Sequence, residues 1–124
     1  LGAGQHVDHQ LVRDFALNWQ NRHGKVAVFF YEEYPYSAEG FHVVTQAREM
    51  LPFETRPVVH TLDENALAAK IEAVACFTSQ ISTFWIDENA MAQSVRDYAA
   101  EVARQTMTTR AAERLWQPAQ KLTD

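Results

Sequence analysis

The run KVAVFFY, from Lys25 to Tyr31, constrains the fold more than any other stretch. It is continuously apolar and of strand length. A strand that is apolar on both faces needs cover on both faces, as strands in α/β sheets have. An amphipathic stretch precedes it, from about Val7 to Arg22. There Leu11, Phe15 and Trp19 recur four apart, with Val12 and Ala16 beside them, which is a helical period. Asp8 suits the first turn, where free N–H groups favour an anion. Gly24 stands where a helix stop belongs.

The segment EEYPYSAEGF then breaks the pattern, and Pro35 and Gly40 make it a loop. In open α/β sheets, loops leaving the carboxyl ends of strands carry ligands. Glu32 to Ser37 is therefore a candidate site loop on position alone. RPVVHTL, Arg56 to Leu62, reads as a short strand, with His60 a packed or edge residue. Asp63 can cap a long helix reaching about Phe84, with Leu67, Ile71, Val74, Phe77 or Thr78, and Ile81 as its apolar stripe. A further helix is expected from Asp87 to about Gln105, burying Met91, Val95, Tyr98 and Val102. A short strand or loop around Leu115 and Trp116 and a polar tail complete the chain.

These elements predict a single α/β domain over residues 1–124 that resembles the back half of a larger fold. Two predicted strands do not make a stable buried sheet by themselves. The sheet is expected to be incomplete, with apolar surface left open, so the chain should oligomerise or aggregate. It opens at Leu1 and not at a methionine, and a start inside a longer protein is the expectation.

Charge and composition narrow the function classes. The formal net charge is −5 and no Lys/Arg cluster is present, which argues against a nucleic-acid partner. No apolar run approaches the length of a membrane span. Cys76 is the single cysteine, so an internal disulfide framework is ruled out. A reducing, cytoplasmic setting is expected.

The chemistry-bearing cluster is His6-Val7-Asp8-His9, at the point where the first helix begins. Residues three apart on a helix share a face, so His6 and His9 can point into one pocket. A helix N-terminus disfavours imidazolium and keeps a histidine neutral and able to ligate. The same dipole repels a bound cation, and zinc sites take at least three protein ligands. The spacing is not the His-Glu-x-x-His of zinc proteases. On spacing alone, a polar helix start with surface histidines remains an equal reading. His23, His42 and His60 lie outside any comparable cluster.

GAGQHVDHQLVRDFAL, followed by VFFYEEYPY and by KIEAVACFTSQISTFW, resembles the C-terminal half of the LmbE-like, or PIG-L, N-deacetylase family. The Gly-x-His-x-Asp-His segment is the specific part. The Tyr-Glu-Glu-Tyr-Pro-Tyr loop, the Ser79-Gln80 pair and the ERLW segment support it. The resemblance implies a Rossmann-like three-layer fold and zinc-dependent hydrolysis of an N-acetyl group on an N-acetylglucosamine-type conjugate. It implies that His9 is a zinc ligand. It implies that His6 stabilises the oxyanion or protonates the leaving amine, and that Asp8 orients His6. Tyr31, Glu33, Tyr34 and Tyr36 would line the sugar site. The family's first motif, His-Pro-Asp-Asp-Glu, is absent. The resemblance places the two further zinc ligands and the general base in that motif, upstream of Leu1, so this chain alone is expected to be inactive. The competing expectations are a truncated, non-catalytic α/β module that binds a sugar or a partner chain, and a site completed in trans by a separate N-terminal half.

Overall fold

The computed structural model describes residues 1–24, 26–108 and 110–119, and the polar tail expected from Gln120 onward lies outside them. The protein is α/β, with five α-helices and a three-stranded open sheet. In chain order the regular elements are α1 (Val7–Arg22), β1 (Phe30–Tyr31), α2 (Phe41–Glu49), β2 (Thr55–Thr61), α3 (Glu64–Ala75), α4 (Thr78–Phe84), α5 (Glu88–Gln105) and β3 (Ala112–Pro118). Short 3-10 turns precede α1 at Ala3–Gln5 and α2 at Tyr36–Glu39. β3 is the central strand, between β1 and β2. It runs antiparallel to β1, with Phe30 opposite Trp116 and Tyr31 opposite Leu115.

The chain forms two compact units, residues 1–58 with 114–124, and residues 59–113. The boundary falls within β2 and within β3.

The first unit is built on Leu1, Ala3, Phe30, Val44, Ala47, Leu51 and Trp116, with Leu17, Val28, Val43 and Phe53 packed against them. α2, which supplies Val44 and Ala47, is not anticipated from the sequence. Gly40 precedes it with a φ of 144° and no side chain caps it, so its start carries no polar signature. Beneath this core, Glu32 accepts hydrogen bonds from Arg114 Nε at 2.5 Å and Trp116 Nε1 at 2.7 Å. Arg48 stacks over the other part of that indole, 3.8 Å from its centroid.

Two expectations for this unit are corrected. The strand expected over Lys25 to Tyr31 is formed only at Phe30–Tyr31, with Lys25 outside the described residues. Val26 and Phe29 are exposed, because β3 pairs with the end of the run only. The helix expected from Val7 to Arg22 is present, but its apolar stripe is not covered. Val7, Leu11, Val12 and Phe15 are exposed, Phe15 at 71%. Arg13 is instead the buried residue of α1.

The second unit packs α3 and α4 on α5. Asp63 Oδ1 accepts the Ala66 N–H at 2.8 Å and Asp87 Oδ1 accepts the Ala90 N–H at 2.7 Å, so both expected caps are in place. α5 buries Met91, Val95, Ala99, Val102 and Ala103 at helical spacing, with Tyr98 half-buried beside them. The single helix expected from Asp63 to Phe84 is in fact two. Phe77 leaves the helical region at φ −86°, ψ 55° and is exposed, while Ile81 of α4 is buried. An aromatic followed by β-branched Thr78 gives up the helix where neither side chain is packed.

Candidate functional site

The approach to α1 is a tight turn. Gly2, Gly4 and Gln5 take positive φ values of 84°, 71° and 56°. Glycine adopts this region freely, and a side chain at Gly4 would also collide with Tyr36, whose ring carbons lie 2.8 Å from the place a Cβ would occupy. Glycine at this position lets the chain pass against the Tyr36 ring and deliver His6 to the helix start.

His6 occupies the N-cap position with extended backbone, and its side chain makes no capping hydrogen bond. Its carbonyl accepts the Gln10 N–H at 3.1 Å, the first bond of the helix. The spacing brings His6 and His9 together as expected, with ring centroids 5.2 Å apart. Tyr36 joins them from the loop, 6.1 Å from His6 and edge-on to His9 at 5.5 Å. His9 Nδ1 is buried and has no hydrogen-bond partner. A buried nitrogen in that condition is exceptional, since most find a partner. Asp8 Oδ2 stands 3.8 Å from His6 Nδ1, an ion-pair separation longer than a hydrogen bond, and both side chains face solvent.

The structure separates the residues of the expected sugar loop. Glu33 turns inward and is nearly fully buried. Its Oε1 accepts from the Gly2 N–H at 2.6 Å and from the Leu1 amine at 2.8 Å, and its Oε2 from the Ala3 N–H at 3.0 Å. Burial by itself raises the carboxyl pKa, but these donors together outweigh it and hold Glu33 below the usual carboxylate range. Burial costs the Leu1 ammonium more than Glu33 returns, so that amine lies below its ordinary value. Glu33 therefore fastens the turn that carries the histidines, with both carboxylate oxygens engaged by it. Tyr31 is exposed, while Tyr34 and Tyr36 are half-buried. Of the four, Tyr36 is the one beside the histidines.

His9 lines a cleft of about 110 Å³ between α1 and the β1 segment, with Arg13, Val12, Phe30 and Glu33 in its wall. The donor set fits one corner of a metal site. His9 offers an unengaged imidazole nitrogen and His6 stands near it, yet among the described residues no group of three or more His, Cys, Asp or Glu side chains could hold a metal ion. Among the described residues no helix is long and apolar enough to cross a membrane. Sequence reasoning missed Arg13 and the inward commitment of Glu32 and Glu33. No local signal marked them: Arg13 lies on the face of α1 away from the exposed Leu11 and Phe15 stripe. Comparison with family models, with curated proteins and with solved structures found no match for this chain.

Proposed function

We propose that the chain carries part of the site of a metal-dependent amide hydrolase, acting on the N-acetyl group of an amino-sugar conjugate, in a Rossmann-like setting of the LmbE type. The observation that carries the reading is the meeting of His6, His9 and Tyr36 at the start of α1, with His9 Nδ1 buried and unpartnered. In this reading His9 is a ligand of zinc or a similar divalent ion. Such an ion supplies Lewis acidity toward an amide carbonyl. Since catalytic zinc takes three protein ligands, the reading requires ligands from outside the described residues.

His6 is solvent-facing and free of capping duty, so it can approach a substrate. It donates to the developing oxyanion or hands a proton to the departing amine, roles that suit imidazole near neutral pH. Asp8, 3.8 Å from the ring, orients it. Tyr36 offers its edge to His9 and an aromatic wall beside the reacting group. Glu33 acts through the Gly2–Ala3 backbone and not on the sugar.

The test is zinc binding by competition with a chelating dye, together with deacetylation of N-acetylglucosamine conjugates by the longest natural polypeptide containing this chain. His9→Ala should lose the zinc. His6→Ala should keep it and lose about a hundredfold or more in turnover, the scale of one oxyanion donor. Zinc binding unaffected by His9→Ala would sink the reading.

A second reading has an observation of its own. The uncovered stripe of Val7, Leu11, Val12 and Phe15 favours a non-catalytic module that docks a partner chain. Loss of metal binding and activity in every context, with a partner captured through α1, would favour it.

A further inference from the structure

One turn beyond His9, α1 carries a buried cation. Arg13 is 9% exposed. Its Nε donates to Asp14 Oδ1 at 2.9 Å. The Asp14 side chain is 56% exposed, so its charge is largely spent on solvent. The two terminal guanidinium nitrogens make no hydrogen bond among the described residues. Arginine cannot shed its charge, and these nitrogens, which keep a path to solvent, are open to an acceptor. Arg13 lines a cleft of about 530 Å³ that Gly2 and Gly4 border on one side and α2 on the other. A side chain at position 2 would begin 3.1 Å from Arg13 Nη1 and crowd it.

We propose that this cleft binds a small polar ligand through an oxyanion group, a carboxylate or a phosphate, with Arg13 as its anchor. The planar fork of a guanidinium matches two oxygens of either group. The volume falls in the range of small-molecule sites and exceeds the anion itself, so the ligand has a body beyond its anionic group. Gln10, Gln46 and His42 offer hydrogen-bonding groups to that body. Glu39 and Glu49 also line the cleft, but both are exposed, where solvent weakens their repulsion. The proposal does not rest on the amide-hydrolase reading.

The experiment is a titration of the full chain with inorganic phosphate and, separately, with acetate at constant ionic strength. The readout is the nitrogen–proton spectrum of the arginine side chains and of the Gly2 and Gly4 amides. Saturable shifts of the Arg13 signals are expected with at least one anion. Tighter phosphate assigns a phosphoryl ligand, and tighter acetate a carboxylate. Arg13→Gln should weaken binding about tenfold or more, and Arg13→Lys, which loses the fork, about severalfold. Glu49→Gln, on the surface, should tighten it. Shifts that never saturate in the unaltered chain, or saturable shifts untouched by Arg13→Gln, overturn the proposal. If Arg13→Gln does not fold, Arg13→Lys, which keeps the charge and loses the fork, carries the test, and unchanged binding in it overturns the proposal as well.

Discussion

Glu33 stands 31 residues after Gly2 in the chain, yet its Oε1 accepts the Gly2 N–H at 2.6 Å. This one carboxylate connects the loop after β1 to the turn that presents His6 and His9. Glu33→Ala would leave the Gly2 and Ala3 amides without their acceptor in a buried place. A loss of about 2–4 kcal/mol is expected, since bonds to a charged acceptor exceed neutral ones. Urea unfolding of the variant measures it.

The same carboxylate sets a pH dependence. Its folded pKa lies below the ordinary 4.5, so the unfolded chain binds its proton first as pH falls. The stabilisation is complete above 4.5 and is lost as pH drops through the lower folded value. Glu33→Gln should flatten the stability profile below 4.5.

Glu32 serves a different partner. It pairs with Arg114, and both side chains are almost completely buried. Glu32→Ala should cost about 3–5 kcal/mol, the usual result of leaving one buried charge alone. The fluorescence of Trp116, which donates to the same oxygen, should change in the folded variant.

Gly4→Ala tests the turn itself. The substitution meets both a φ of 71° and the Tyr36 ring. About 1–3 kcal/mol of destabilisation is expected. A structure of the variant should show the Tyr36 ring displaced from the histidines.

The exposed face of α1 gives the opposite outcome. Phe15→Glu should change unfolding stability by less than about 0.5 kcal/mol, as surface changes do. Sedimentation should show less self-association than in the unaltered chain, because the apolar stripe is interrupted.

Local signals in the sequence were read correctly. The four-residue spacing of Leu11, Phe15 and Trp19 and the capping positions of Asp63 and Asp87 each depend on neighbours within a turn or two. The histidine pair was legible for the same reason. What was not legible depends on distant partners. KVAVFFY is apolar enough for a long strand, but a strand extends only where another pairs with it, and β3 meets Phe30 and Tyr31 alone. Glu32 and Glu33 read as groups of a ligand-binding loop because Arg114 and Gly2, which hold them inward, lie far away in the chain. α2 escaped notice because Gly40 starts it without a polar cap, and Val44 and Ala47 are its only fully buried side chains.

The division within β2 and β3 makes the second unit a detour. The chain leaves the first unit after Val58 and re-enters it at Arg114. Each unit closes its own neck, one by the Ala119 N–H on the Glu54 carbonyl at 2.8 Å, the other by the Leu62 N–H on the Ala111 carbonyl at 2.9 Å. A loop that closes itself can open by itself, so amide exchange should sort into two classes of differing protection along that division. A single melting temperature would then average two events, and the histidine turn would report on only one of them.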